Sequence, residues 1–93
     1  MTQEELFVSI KDAIKDVVNN QKLNVEKSST LIGDLGLESI DFLDLSSEIE
    51  NTIGFEIDFK EVVEHVKQSA AGVSDIKGLT VQNIIDFIEV KKS

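Results

Sequence analysis

The chain has 93 residues, a formal net charge of −9 and no cysteine. That length suffices for one domain, which we expect to span residues 1–93. The missing cysteine excludes disulfides and thiolate metal sites, and a single histidine excludes sites that need two imidazoles. With no arginine and an acidic balance, the chain is unsuited to nucleic acid or anionic membranes, so proteins with basic patches are the expected partners.

Targeting signals are also missing from the sequence. No apolar run approaches the ~20 residues of a membrane span, and the N-terminus lacks a basic segment followed by an apolar one. We therefore expect a cytoplasmic protein with no membrane span. No second apolar face stands out along the chain, so a monomer is expected.

A helix followed by a long connection opens the chain. Thr2 and Glu5 have the spacing of a capping box, and apolar residues at helical spacing predict a helix over residues 3–19, with Asn19 and Asn20 fraying its end. Residues 20–38 form a connection of unusual length for a compact domain, which is typical of functional loops. Its spaced apolar residues are predicted to hold it against the helices: Leu23, Val25, Leu31 and Leu35.

Three more helices are predicted after this loop. The second runs from about Ser39 to Thr52 or Ile53, with Gly54 as its terminator, and its apolar stripe is Phe42, Leu45, Ile49 and Ile53, joined by Leu43. Phe55 and Ile57 return the chain to the core, and a third helix covers residues 59–68. Residues 69–78 read as a mobile connector, and Thr80 caps a last helix with Val81, Ile84, Ile85 and Ile88 facing inward. No stretch alternates as a strand does, so the fold class is a small all-α four-helix bundle.

Negative charge is concentrated in one segment. Residues 33–64 contain ten acidic residues and one base, Lys60, so this segment carries the whole net charge of the chain. Most charge runs are solvated faces. This one begins beside Ser39 and continues along the second helix, which favours a docking surface.

Ser39 stands where a glycine-containing loop meets this acidic helix, in the run Asp34-Leu35-Gly36-Leu37-Glu38-Ser39-Ile40-Asp41. An exposed hydroxyl there can carry a phosphodiester-linked arm, and the simpler interpretation is an N-cap serine worth about 1 kcal/mol. The run resembles the attachment site of acyl carrier proteins, Asp-Leu-Gly-x-Asp-Ser-Leu-(Asp/Glu). The order of helices and their acidity are also similar to that family over the full chain.

This resemblance implies a carrier and not an enzyme. Ser39 would receive 4′-phosphopantetheine from coenzyme A through a phosphopantetheinyl transferase, and the arm's thiol would hold acyl groups as thioesters. Gly36, Leu37, Glu38 and Ile40 would flank the prosthetic group. Acyl-transferring and chain-building enzymes of fatty-acid, lipid or polyketide biosynthesis would dock through basic patches. The residues expected to meet them are Asp34, Ile40, Asp41, Asp44, Ser47, Glu48 and Asn51.

An acyl chain would lie between the second and third helices. The predicted lining is Phe42, Leu43, Ile49, Phe59, Val62, Val63 and Ile84. Two features depart from the family pattern. Glu38 replaces the usual Asp, which makes a poorer N-cap and would narrow the choice of transferase. The stretch from Ile57 to Val81 is longer than usual, which fits either a specialised carrier or a tolerated surface insertion. His65 is predicted to face solvent or the rim of a partner.

Other interpretations fit parts of the sequence. A peptidyl, aryl or D-alanyl carrier uses the same serine and arm, although its second helix is usually less acidic. A helical interaction module could use the acidic helix without any prosthetic group. A calcium-binding protein is disfavoured because the acidic residues lack the spacing of a calcium loop. An enzyme is disfavoured because Ser39 has no base at a recognisable spacing and no G-x-S-x-G motif.

Overall fold

The computed structural model describes residues 2–54, 56–69 and 76–92. These residues form the helices α1 (Gln3–Val17), α2 (Asp41–Ile53), α3 (Phe59–Ser69) and α4 (Val81–Lys92), with a 3-10 turn at Ile76–Gly78. The described part of the chain contains no strand, only an isolated bridge between Thr30 and Thr80. The predicted all-α four-helix fold is confirmed.

Helix α1 has the start that its sequence predicts. The Glu5 backbone N–H donates to Thr2 Oγ1 at 3.1 Å, and the Thr2 N–H donates to Glu5 Oε1 at 2.9 Å, which completes a capping box. The end comes at Val17 rather than at Asn19. Asn19 adopts a left-handed φ of 55°, and the Asn20 N–H reaches back to the Lys15 carbonyl at 2.9 Å. The predicted fraying is therefore wrong, because the two asparagines close the helix in a Schellman-type cap.

The helices share one apolar core. Helix α1 packs against α2 and α4, and α4 also packs against α3. The most deeply buried helical side chains are Leu6, Ile10, Ile14, Leu45, Ile49, Val62, Val81, Ile84, Ile85 and Ile88. Helix α2 ends as predicted at Gly54, whose φ of 100° is left-handed and whose N–H donates to the Glu50 carbonyl at 2.8 Å.

The long connection between α1 and α2 is fixed to the core, as predicted. Val25, Leu31 and Leu35 are buried, and Leu23 is partly buried against the core. The Leu31 N–H donates to the Leu79 carbonyl at 3.0 Å, and the Val81 N–H donates to the Ser29 carbonyl at 3.1 Å. The loop is therefore bonded to the chain that leads into α4.

The region between Ile57 and Val81 is described only in part. Ile57 is buried, as predicted, and α3 extends to Ser69, one residue beyond the expected end. Phe55 and residues 70–75 of the predicted mobile connector lie outside the described residues. Among the described helices, each falls short of the length and apolar character that crossing a bilayer requires.

Thr80 caps α4, and its replacement gives a first testable prediction. The Asn83 N–H donates to Thr80 Oγ1 at 3.2 Å, and the Thr80 N–H donates to Asn83 Oδ1 at 2.9 Å. Thr80→Ala is expected to lower the free energy of unfolding by about 1 kcal/mol in urea denaturation, because the cap is lost. Thr80→Ser keeps the oxygen and should recover most of this stability. Equal stability of the alanine variant and the parent would contradict the assignment.

Candidate functional site

The loop before Ser39 is anchored from inside. Leu35 and Leu37 are both buried, at 5% and 2% exposure, with Gly36 between them at a left-handed φ of 74°. The Leu37 N–H donates to the Leu31 carbonyl at 3.0 Å. Leu37 therefore supports the loop from the core. Our prediction that it borders the prosthetic group is corrected, since its side chain does not face solvent.

Asp34 stabilises the turn that leads into this anchor. The Thr30 backbone N–H donates to Asp34 Oδ2 at 2.9 Å, and the Asp34 N–H donates to Thr30 Oγ1 at 2.9 Å. Such reciprocal bonds fix a turn in the same way that a capping box fixes a helix start. The carboxylate of Asp34 is thus used within the loop, although the residue is exposed and was predicted to meet partners.

Ser39 lies in a turn just before α2. The Asp41 N–H donates to the Glu38 carbonyl at 2.9 Å, and the Phe42 N–H donates to the Ser39 carbonyl at 3.3 Å. Helix α2 begins at Asp41, and Ile40 occupies the N-cap position without a side-chain bond. Neither Ser39 nor Glu38 caps the helix, so the N-cap interpretation of both residues is wrong, and α2 begins two residues after the expected start at about Ser39. Ser39 is exposed, and its Oγ bonds to none of the described residues.

The backbone N–H groups around Ser39 include two that could donate to a bound hydrogen-bond acceptor. The Glu38 N–H is taken by Asp41 Oδ2 at 2.9 Å, a bond that spans the serine and holds the turn. The N–H groups of Ser39 and Ile40 donate to no acceptor among the described residues. Free N–H groups at the start of a helix are suited to a phosphate oxygen.

A groove of about 1000 Å³ runs between α2 and α3 beside this turn. Its floor includes the rings of Phe42 and Phe59, whose centroids are 4.9 Å apart in an edge-to-face arrangement. Ser46 Oγ donates to the Ile57 carbonyl at 2.6 Å farther along. The lining consists of Ser39, Phe42, Leu43, Ser46, Glu56, Ile57, Asp58, Phe59, Lys60, Val63, Glu64 and Lys67.

The predicted acyl lining divides into two groups. Phe42, Leu43, Phe59 and Val63 do border the groove. Ile49, Val62 and Ile84 lie instead in the core at 1%, 0% and 0% exposure and do not border it, so the predicted lining is corrected at these positions. Sequence analysis missed the lysines of the rim, although the spacing of Lys60, Glu64 and Lys67 on one helix face was a signal for them.

The outer face of α2 is acidic and uncompensated. Asp44, Ser47, Glu48 and Asn51 are exposed, whereas Asp41 is half-buried. Ion pairs in the described residues join Lys27 to Glu4, Lys67 to Glu64 and Lys91 to Glu61, and none involves α2. Two exposed apolar side chains, Ile40 at 66% and Leu43 at 74%, lie beside this charge. Charge around a small apolar patch is typical of a surface that binds another protein.

His65 is less exposed than a side chain that faces solvent, and its place at the rim of a partner stays a prediction. The side chain is half-buried rather than exposed, and its ring lies 5.8 Å from that of Phe87 in an edge-to-face contact. No group of three or more potential metal ligands occurs in the described part of the chain. The chemistry of the site therefore centres on the serine hydroxyl, the free N–H groups and the groove, which together fit a phosphodiester-linked chain.

Known proteins with similar sequences have names that concern phosphopantetheine attachment or acyl carriage. The profile of a family described as "Phosphopantetheine attachment site" matches residues 8–67. A relative named "Acyl carrier protein" from Coprothermobacter proteolyticus is 30% identical over 89 residues, covering 96% of this chain and 93% of the relative. The chain belongs to the acyl carrier protein family. Acyl carrier proteins from Lactobacillus acidophilus (34% identical, covering 83% of this chain and 95% of the relative) and Thermotoga maritima (28%, covering 97% and 95%) are also similar.

Membership in the acyl carrier protein family fixes the broad role of the chain. It implies a covalently attached 4′-phosphopantetheine, and it makes the protein a carrier rather than an enzyme, as expected. Phosphopantetheinyl transferase and acyl-handling enzymes are the partners that such a carrier domain implies. The alternative of an interaction module without a prosthetic group no longer holds.

Proposed function

We propose that Ser39 carries the 4′-phosphopantetheine of this acyl carrier protein and that the protein presents acyl intermediates, held as thioesters, to biosynthetic enzymes. The bound group supplies a terminal thiol, which this cysteine-free chain lacks. The observation that carries the proposal is the Ser39 hydroxyl, exposed and without a hydrogen bond to any described residue, at the mouth of a groove.

Ser29, Ser46 and Ser47 are less suited to attachment than Ser39. Ser29 is buried at 8% exposure, and its Oγ accepts a bond from the Glu26 N–H at 3.0 Å. Ser46 is bonded to the Ile57 carbonyl. Ser47 is exposed, but it lies within α2, where the backbone N–H groups are used by the helix. Ser39 combines an accessible hydroxyl with the free N–H groups of its own turn.

The residues around Ser39 would hold the phosphodiester and orient the arm. The N–H groups of Ser39 and Ile40 can donate to its oxygens, and the positive end of the α2 dipole favours an anion there. The Asp41 carboxylate keeps the turn in place through the Glu38 N–H. Glu38 is exposed in this turn, so the replacement of the usual Asp changes a surface that the transferase meets.

Partner enzymes would dock on the exposed face of α2. Asp44 and Glu48 present uncompensated carboxylates, Ser47 and Asn51 present polar groups, and Ile40 offers an apolar anchor next to the serine. Contacts of this kind act mainly on association rate and orientation and weaken with salt. Enzymes of fatty-acid, lipid or polyketide biosynthesis with basic patches fit this surface. The cytoplasmic location and the monomeric state stay predictions.

Loading in two stages tests the acyl-carrying function. The protein is incubated with coenzyme A and a broad-specificity phosphopantetheinyl transferase, and then with an acyl donor and an acyl-carrier synthetase. Intact mass is expected to rise first by one phosphopantetheine and then by one acyl group, and neutral hydroxylamine should remove only the acyl group. Acylation that resists hydroxylamine, or acylation of Ser39→Ala, would contradict a thioester on this arm. Offering D-alanine or aryl acids in the second stage separates the other carrier types.

A further inference from the structure

The groove beside Ser39 has two lysines on its α3 side, in the most acidic part of the molecule. Lys60 and Lys67 border the same groove as Ser39. Lys60 is the only base between residues 33 and 64, among ten carboxylates. A phosphodiester added at Ser39 brings one more negative charge into this region, and nearby cations offset such a charge.

Carboxylates surround Lys60 on α3 and along the groove, where Glu56 and Asp58 also lie. Of the carboxylates on its own helix, Glu61 pairs with Lys91 at 3.1 Å and Glu64 pairs with Lys67 at 3.6 Å. Lys60 Nζ pairs with no carboxylate of the described residues. Lys60 also borders a second groove on the α3–α4 side, but that groove's carboxylates, Glu61 and Glu64, already have these partners.

The direction of the two chain segments along the groove places Lys60 toward the end of the groove where Ser39 lies. Phe42 contacts Phe59, and Ser46 contacts Ile57, so α2 and the chain entering α3 run in opposite directions. Ser39 lies about one helical turn before Phe42. Because the two segments are antiparallel, the residues opposite Ser39 come after Phe59, in the first turn of α3, which contains Lys60. Acidic side chains are normally favoured in the first turn of a helix, so helix stability does not explain a lysine there.

We propose that Lys60 is a positioning residue that pairs with the phosphodiester on Ser39 and draws the arm over the α3 side of the groove. This inference rests on Ser39 being the attachment residue. The pairing would place the arm away from the acidic face of α2, leaving that face open to partner enzymes. Lys67, about two turns farther along α3 and already paired with Glu64, is not assigned this role.

Nuclear magnetic resonance of the loaded protein tests the pairing directly. The protein is labelled with 13C-lysine, converted by coenzyme A and transferase, and checked by intact mass. The Lys60 side-chain signals are expected to shift most among the lysines on loading. At ~1 M salt, where the Debye length is ~3 Å, that shift should fall by about half or more. In Lys60→Gln the 31P resonance should move toward that of free phosphopantetheine, whereas the matched variant Lys67→Gln should keep the parent's resonance.

Two results would overturn the inference in distinguishable ways. Full loading by mass with unchanged Lys60 signals, or with the same 31P resonance in parent and Lys60→Gln, would remove Lys60 from the site and leave Ser39 as the attachment residue. Equal effects of Lys60→Gln and Lys67→Gln would show only a general response to charge and would also overturn it. A protein that gains no mass at Ser39 would overturn the proposed function and this inference together.

Discussion

Replacing Asp44 and Glu48 with lysine is expected to slow association with a basic partner enzyme by ~10–100-fold at low salt. Both carboxylates are exposed on α2, and no lysine of the described residues compensates them. Their reversal turns attraction at the encounter into repulsion. Stopped-flow association, or the rate of transferase modification at subsaturating carrier, measures the effect, and the difference from the parent should shrink as salt is raised.

The matched control is a charge reversal elsewhere on the molecule. Asp12 on α1 and Glu26 in the long loop are exposed and make none of the ion pairs found in the described residues. Asp12→Lys with Glu26→Lys changes the net charge by the same amount as the α2 variant. Only a small effect is expected from it. Equal slowing by both double variants would mean that net charge alone steers association, which would contradict α2 as the docking face.

Leu31→Ala is expected to lower the free energy of unfolding by ~2–5 kcal/mol. Leu31 has 0% exposure, its N–H donates to the Leu79 carbonyl, and its carbonyl accepts from the Leu37 N–H. Domains of this kind have total stabilities of only ~5–15 kcal/mol, so the loss is severe. The cavity also loosens the loop that positions Ser39. Faster hydrogen exchange at the Leu37 amide should therefore accompany the lower stability.

Leu43→Ala makes the same chemical change at an exposed position. Leu43 lies on α2 at 74% exposure, so its truncation should alter stability by less than about 0.5 kcal/mol. Urea denaturation of both variants under the same conditions provides the comparison. Similar losses for the two leucines would show that the long loop is not part of the core.

Local chemistry made much of the fold predictable. The helix ends could be predicted at Thr2 with Glu5, at Thr80 and at Gly54, because each supplies a donor, an acceptor or a left-handed φ that a helix end needs. The same reasoning failed at Asn19 and Asn20, since a pair of asparagines can either fray a helix or close it. The start of α2 was missed because the turn at Ser39 is held by backbone bonds and by the Asp41 carboxylate, which a serine next to a helix does not reveal.

The sequence predicts Ser39 as the centre of the site, but it predicts the residues that line the neighbouring groove less well. Ser39 follows from the motif, whereas the lining of the groove depends on how far α2 and α3 separate. Helical spacing marks Ile49, Val62 and Ile84 as inward-facing but cannot distinguish a core position from a groove. Leu43 could have been placed outside, because it lies about 100° around the helix from Phe42. The role of Asp34 within the loop depends on its contact with Thr30, which only the structure shows.

The most direct measurement of the central claim is site-resolved mass spectrometry after treatment with coenzyme A and several phosphopantetheinyl transferases. The parent is expected to gain one phosphopantetheine, located by fragmentation on Ser39, and Ser47→Ala should gain the same amount. Ser39→Ala should gain none, and Glu38→Asp should widen the range of transferases that act. Modification of Ser39→Ala at another serine, or no modification of either the parent or Glu38→Asp, would contradict Ser39 as the attachment residue.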